Sequence, residues 1–330
     1  MMLVTQNEKN NGALSAGHLQ TAGHEFRERG FVVLSGLIDT DLCHRLKDSV
    51  LADVSGIRRD ASPTPHERNT ALGHLQLGLR RYAPYVDAAL VANPIIEHVV
   101  STLLGPGAWL GFYNGNVNCP GSGTQPLHAD RPFAWKTESD AIRAGQSWPP
   151  PTTTVSCSVA LTDITSDTGA TEIFPGTHHE TAVTTWRPGE RPQNHPDLIE
   201  KWSPSERMEI PTGGVCIRDP RMWHRGVPNR DASPRPMVAI TYHSPLAKHW
   251  RGLLVEMSDE EQRRCETDPT LRKLDDGQLG DGRLVFHENT RRMFDADNLH
   301  GIHRNVRFVE DAVDHIHGAH EVGGARVQFQ

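Results

Sequence analysis

Two short stretches hold the side chains that could do chemistry together. In "TQPLHADRPFAW", residues 124–135, His128 and Asp130 stand two apart. On a strand that spacing places both side chains on one face. Alone the pair is weak, because such a triplet arises by chance in many chains and also fits a strand-end histidine beside a turn aspartate. The second stretch is "CIRDPRMWHRGVPNRDASPRPMVAITY", where His224 follows an apolar run and Arg235 opens the next one, eleven residues later. Two imidazoles and one carboxylate form the facial ligand set of non-haem Fe(II) oxygenases, which leaves the opposite coordination positions open. An arginine on a neighbouring strand can grip a carboxylate through two hydrogen bonds, and its charge does not titrate away. Open iron positions beside a carboxylate clamp are what 2-oxoglutarate chemistry requires. A zinc-dependent hydrolase or isomerase could use the same two histidines and carboxylate with a bound water, but it gives Arg235 no role. A non-catalytic jelly-roll binding protein keeping the ligands as a relic or sensor is a further alternative, against which the intact set speaks.

The elements that must position these residues show in the texture of the chain. From Trp109 onward, short apolar runs such as "WLGFYNGNVNC", "TVSCSVALTDI", "GGVCIRD" and "RPMVAITYHS" alternate with Gly and Pro turns. Strands at this spacing indicate a sandwich or barrel over 109–245. Ahead of it, residues 1–15 read as a loose tail, and "AGHEFRERGFVVLSGLI" as a short helix followed by a strand at Phe31–Leu37. Asp39 or Thr40 can cap a helix that carries Leu42, Leu46, Val50 and Val54 on one face. The polar stretch 56–80, with Pro63 and Pro65, reads as a loop, and two helices follow, the second running from Pro94 to Gly105. Residues 16–108 are thus mostly helical support, while 246–330 is charged and helical in pattern. With no repeat and no long linker, residues 1–330 read as one catalytic domain, mainly β with helical flanks. The proline-rich segment 144–154 reads as a surface loop or lid. His178-His179 reads as part of a turn, and the "HIHGAH" tract at 315–320 as a polar C-terminal feature rather than a metal site.

Composition narrows the partners. The 330 residues carry a net charge of -7, which argues against nucleic acid or anionic membrane as the main partner. Mean hydropathy is -0.52, and no apolar run is long enough for a transmembrane helix. The N-terminus has no basic region followed by an apolar core. Five scattered cysteines without a CxxC pair disfavour a disulfide framework or a thiolate zinc site, and a cytoplasmic setting fits best. The expected partner is a small-molecule substrate, and nothing in the sequence reports oligomeric state.

Beyond the ligands, "FRERGFVVLSGLI", "LTDITSDTGATEIFPGTHH" and "WHRGVPNRDASPRPMVAITY" resemble blocks of the phytanoyl-CoA dioxygenase family of Fe(II)/2-oxoglutarate-dependent oxygenases. The matched blocks run from about residue 25 to 245, with Thr177 where the family pattern Pro-Gly-Ser-His has serine. The resemblance implies a double-stranded β-helix (jelly-roll, cupin-like) core with the metal at its mouth. It implies that His128, Asp130 and His224 bind Fe(II), with 2-oxoglutarate and O2 as co-substrates, and that Arg235 binds the distal carboxylate of 2-oxoglutarate. Gln125 and Thr171 are further candidates to contact that co-substrate, as are Asn116 and Asn118 from the ladder Asn114, Asn116, Asn118. Some relatives carry a hydroxyl two residues after the distal histidine, where this chain has Gly226. Relatives that halogenate replace the ligand carboxylate with a small residue, so Asp130 favours hydroxylation or a related oxidation. Desaturation, epoxidation, cyclisation and peroxidation remain open outcomes. Phe133, Trp135 and Trp148 are candidates for an apolar substrate surface, while Trp223, alternating with His224, reads as core.

Overall fold

The computed structural model describes residues 1–54, 72–77, 85, 87–187 and 189–244, with short strands at 253–256, 283–286, 307–308, 321–322 and 325–326. Residues 1–15 are not a tail. They form β1 (Met2–Leu3) and α1 (Gln6–Asn11), fixed by a capping box between Thr5 and Glu8. The Glu8 carboxylate also accepts from the Ser15 amide at 2.8 Å, and Val4 and Leu14 are buried in the core. These ties are polar and local, so no hydrophobic period announces them.

Ser15 caps α2 (Ala16–Arg29), which ends at Gly30 in the left-handed region and turns into β2 (Phe31–Ser35). Asp39 is the cap of α3 (Thr40–Val54), its Oδ1 accepting from the Leu42 amide at 3.0 Å. Two further helices follow at α4 (Ala88–Val91) and α5 (Pro94–Leu104), with Asn93 capping the second and Pro94 in its first turn.

Seven strands form a mixed sheet in the order β1-β2-β8-β5-β10-β4-β3. Its other members are β3 (His74–Leu77), β4 (Trp109–Asn118), β5 (Thr154–Ala160), β8 (Val215–Arg218) and β10 (Arg235–His243). A three-stranded sheet, β7-β6-β9, is built from β6 (Glu172–Ile173), β7 (Glu206–Arg207) and β9 (His224–Arg225). The core is the expected jelly roll. The stretch 56–80 is not all loop, because β3 pairs antiparallel with β4 within it. Four residues, "HLQL", give too short an alternation to stand out. The helical pattern expected over 246–330, like the tract at 315–320, falls largely outside the described residues. The pieces described there are strands, among them β11 (Leu253–Glu256) paired with β12 (Arg283–Phe286).

The two-residue period of the strands divides the large sheet into two chemically different faces. On β5, Val155, Cys157 and Val159 join Ile217 of β8 and Val238 and Ile240 of β10 against Leu46 and Val50 of α3 and Ile96 and Val99 of α5. Each such side chain contributes on the order of 1.5–3 kcal/mol on full burial. The alternate positions Ser156, Ser158, Arg218, Met237 and Thr241 turn inward and line a cavity. The helices therefore cover one face so that the other can be polar.

The turn that feeds β8 sets its register. Gly213 has φ of 73°, its carbonyl accepts from the Ile38 amide at 2.9 Å, and a Cβ there would stand 2.3 Å from the Ile38 carbonyl oxygen. Both the left-handed backbone and the contact require glycine. Gly213→Ala is expected to lower unfolding free energy by more than about 1 kcal/mol in urea denaturation. An unchanged midpoint would show that the turn relaxes freely.

Candidate metal centre and its two cavities

The two ligand-bearing segments run antiparallel without forming a continuous strand pair. His128 and His224 exchange both main-chain hydrogen bonds, at 3.0 and 2.9 Å. On one side the Gln125 amide donates to Gly226 O at 2.9 Å, and on the other the Asp130 amide donates to Pro220 O at 2.8 Å. The expected strand around His128 is thus a single bridge in extended chain, yet His128 and Asp130 still face the same space. Ligand atoms of His128, Asp130 and His224 all lie within 4.8 Å of one another. His224 Nε2 is 3.2 Å from Asp130 Oδ2, and His128 Nε2 is 3.5 Å from Asp130 Oδ1.

Each imidazole is oriented by the carbonyl two residues before it. His128 Nδ1 lies 2.8 Å from Pro126 O, and His224 Nδ1 lies 2.9 Å from Met222 O. A carbonyl can only accept, so both contacts favour a proton on Nδ1 and leave Nε2 facing the centre, although at His224 the Arg218 Nη1 donor, 3.1 Å from the same Nδ1, competes for that atom. Burial, followed by the nearby Arg218 charge, pushes the His224 pKa down to about 4. Burial alone would raise the Asp130 carboxyl, but its interaction with His224, the Arg218 charge and hydrogen bonds from both imidazoles outweigh it and hold the group well below its ordinary range. Although Asp130 is 39% exposed, it opens into a concave site rather than to bulk solvent. A neutral imidazole at His224 and an ionised carboxylate at Asp130 are protonation states that metal binding requires.

Arg218 is the residue of this centre that sequence reasoning missed. It is buried at the end of β8, and its Nη2 donates to Asp130 Oδ2 at 2.7 Å. Nothing in "VCIRD" tells an inward arginine from an outward one until β8 is registered against β5, where Arg218 faces Ser156.

A cavity of about 240 Å³ lies between the sheets, with the three candidate ligands in its wall. Arg235, at 4% exposure, lines it and donates from Nη2 to Gly169 O at 3.0 Å, while its Nε has no partner. Burial lowers its pKa to about 10, which leaves it charged at neutral pH. Gln125, Thr171, Asn116 and Asn118 line the same cavity. Asn116 Oδ1 is unpartnered. Asn118 is committed elsewhere, its Nδ2 donating to Val227 O at 2.9 Å and its Oδ1 accepting from Ser122 at 2.5 Å. The departure at Gly226 has a physical reason. A Cβ there would stand 2.6 Å from both Gln125 Oε1 and His74 Cε1, so His74 of β3 fills the space a side chain would take. His74 also went unread, because β3 was hidden in a polar stretch.

A second cavity, of about 480 Å³, shares His128, Asp130 and Arg131 with the first and extends outward. Phe133, Trp186 and Trp223 line it, and Trp186 lies 5.8 Å from Trp223 between ring centroids. Trp223 is buried as expected, but it also forms part of this wall. Trp135 and Trp148 line neither cavity. His178 and His179 lie in a one-turn helix, both rings against the Arg27 carbonyl, as a turn predicts.

A jelly roll that gathers two histidines, a carboxylate and a buried, under-bonded arginine between its sheets has the build of a cupin-like enzyme with a cofactor site. The family model for phytanoyl-CoA dioxygenase (PhyH) matches residues 26–237, and the chain belongs to that family. The family uses Fe(II) and 2-oxoglutarate with O2. A curated relative, the dioxygenase andF of Emericella variicolor, is 25% identical over 213 residues, 60% of this chain. The match spans 62% of that relative's length. Among solved structures, AviO1 from Streptomyces viridochromogenes Tue57 has 19% identity and a TM-score of 0.51, over 70% of this chain and 97% of its own. The epimerase SnoN in complex with Fe3+, alpha ketoglutarate and nogalamycin RO has 17% identity and a TM-score of 0.50, over 70% and 85%. At these identities the likeness shows the fold. No helix among the described residues is long and apolar enough to cross a membrane.

The Arg218–Asp130 pair can be tested without metal. Asp130→Asn leaves a buried guanidinium short of its anion and is expected to cost about 1 kcal/mol in metal-free protein, a figure reduced for the carboxylate's exposure. In an Arg218→Leu background the same change should cost almost nothing. Equal losses in the two backgrounds, measured by urea unfolding, would show that the pair is energetically idle.

Proposed function

We propose that this chain is an Fe(II)/2-oxoglutarate-dependent dioxygenase that hydroxylates a C–H bond of a small-molecule metabolite in natural-product tailoring. The observation that carries the proposal is the position of His128, Asp130 and His224 in the wall shared by two cavities, one of which holds Arg235. The donor set fits the metal, since two imidazole nitrogens and one ionised carboxylate converge within 4.8 Å. The first cavity fits the co-substrate, since the buried Arg235, with an unpartnered Nε donor, lines it. When bound, the iron supplies O2 activation, coupling decarboxylation of 2-oxoglutarate to succinate and CO2 with oxidation of the substrate.

The protein's own residues do the rest. The Pro126 and Met222 carbonyls favour the ligating tautomer of both imidazoles, and Arg218 holds Asp130 in place. Arg235 pairs with the distal carboxylate of 2-oxoglutarate, an interaction strengthened by its burial. Gln125 and Thr171 face the same molecule, whereas Asn118 acts by shaping the loops around it. The second cavity receives the substrate beside the ligands. SnoN, which shares the fold, is seen with nogalamycin RO, and this supports a metabolite rather than a macromolecule as substrate. A cytoplasmic setting fits the buried thiols of Cys43, Cys157 and Cys216, which form no disulfide.

An anaerobic titration with Fe(II) and 2-oxoglutarate is expected to develop a visible iron-to-keto-acid charge-transfer band. His224→Ala should abolish it, and Arg235→Ala should raise the 2-oxoglutarate requirement roughly ten- to hundredfold. A parent protein that binds neither partner would remove the oxygenase reading.

A further inference from the structure

The large sheet carries a row of polar side chains level with the candidate ligands. Its strand register sets Thr241 of β10 opposite Ser156 of β5, and Ser156 opposite Arg218 of β8. All three line the first cavity, and Arg218 reaches Asp130 at 2.7 Å, so the row stands beside the metal centre. Ser158, two residues further along β5, lines the cavity as well. Among the described residues, no protein group hydrogen-bonds the hydroxyl of Ser156, Ser158 or Thr241. Yet Thr241 and Ser158 are buried, at 8% and 6% exposure. A buried hydroxyl without a partner is costly, and several facing one space point to a ligand that supplies the partner. The row is not the place for the distal carboxylate of 2-oxoglutarate. Arg235 opens the same strand six positions before Thr241, a separation of roughly 20 Å at about 3.3 Å per residue. A diacid anchored on Arg235 therefore occupies the opposite end of the cavity.

We infer that the substrate is a neutral molecule whose hydroxyl or carbonyl oxygen is held by Ser156 and Thr241, with its apolar body against Phe133, Trp186 and Trp223 of the second cavity. The charge of the row, Arg218, is already paired with Asp130, so the row offers neutral groups to a ligand. A charged substituent there would lose its hydration without gaining a counter-charge. Opposed residues on one face of an antiparallel pair have Cβ atoms about 4.5–5.5 Å apart, close enough for both hydroxyls to bind one oxygen. Each hydroxyl donates and accepts, which suits an alcohol or a carbonyl. The two cavities share His128 and Asp130, so a molecule spanning them passes the metal between its two anchored ends. Ser156 and Thr241 thereby decide which part of the molecule faces the metal. The inference rests on the oxygenase reading for the identity of the cavities as a substrate site.

The test compares 1-adamantanol with 1-chloroadamantane, a molecule of similar shape whose chlorine is a poor hydrogen-bond partner. Binding is followed by titration calorimetry in metal-free protein and again in the anaerobic complex with Fe(II) and 2-oxoglutarate. Ser156→Ala combined with Thr241→Val is expected to weaken 1-adamantanol at least about tenfold and to leave 1-chloroadamantane within about twofold. Thr241→Ser keeps the hydroxyl and should retain most of the alcohol's affinity, while Ser101→Ala, exposed on α5, should change nothing. In the anaerobic complex, the carboxylate and ammonium analogues of the probe should bind more weakly than the alcohol. Equal losses for both probes, an unchanged alcohol affinity in the double variant, or no saturation at roughly millimolar alcohol would each overturn the inference. Tighter binding of either charged analogue would do the same. A raised 2-oxoglutarate requirement in the double variant would assign the hydroxyls to the co-substrate and so also overturn it. Hydroxyl-dependent alcohol binding in a protein that forms no charge-transfer band would instead support the neutral site and remove the oxygenase reading.

Discussion

Two main-chain hydrogen bonds between His128 and His224 hold the centre of this protein together. They join a loop leaving β4 to the short strand β9, and everything functional is counted from that junction. Two residues along from His128, Asp130 meets Arg218, which comes from the large sheet, while His224 belongs to the small one. In the other direction, the backbone bond between Gln125 and Gly226 closes the edge of the first cavity against His74. Because the junction is made by backbone atoms, it fixes the segments without using the side chains. Both imidazoles remain available, each aimed by its own upstream carbonyl.

A polar interior of this kind is stable only if an apolar layer is built elsewhere. The large sheet does this by giving its alternate residues to the helices. Its inner face then bears serines, asparagines and arginines whose burial must be offset by hydrogen bonds. Asn118 and Asn229 meet that demand with complete local networks, and they shape the loops beside the cavity. Arg235 Nε and Asn116 Oδ1 do not, and both belong to residues that line it. Asn114 is fully buried with neither side-chain atom partnered, and nothing in the structure explains it.

What was legible in the sequence follows from the range of the signal. The strand alternation in "TVSCSVA", the cap at Asp39, the helix start at Pro94 and the order His128, Asp130, His224, Arg235 are local patterns, and the structure brings those four residues to one cavity. Arg218 was not legible, because the inward or outward sense of one arginine depends on a register set by a neighbouring strand. His74 was lost for a related reason, since four residues of β3 are stabilised by pairing with β4 rather than by their own pattern. Trp135 was misplaced because nearness in sequence to the ligands was read as nearness to the cavity. The chain turns after Phe133 and carries Trp135 away, while Trp186, far along the sequence, arrives in its place.

The charges around the centre explain why co-substrate and fold belong together. Among the buried arginines, Arg218 is answered by Asp130 and Arg221 by Asp219. Arg235 has only the neutral carbonyl of Gly169. An ion removed from water and given no counter-charge is a standing destabilisation, and apolar packing around the sheet must outweigh it. In the proposed binding mode, a dicarboxylate entering the first cavity would supply the missing charge where low dielectric makes the interaction strong. Ligand affinity and fold stability therefore draw on the same interaction, as linkage requires of any group that binds only the folded state. In that binding mode the cost of burying an unanswered cation would become selectivity for an anion. A neutral molecule of the same shape would leave Arg235 buried and unpaired, whereas the anion removes that penalty as it binds.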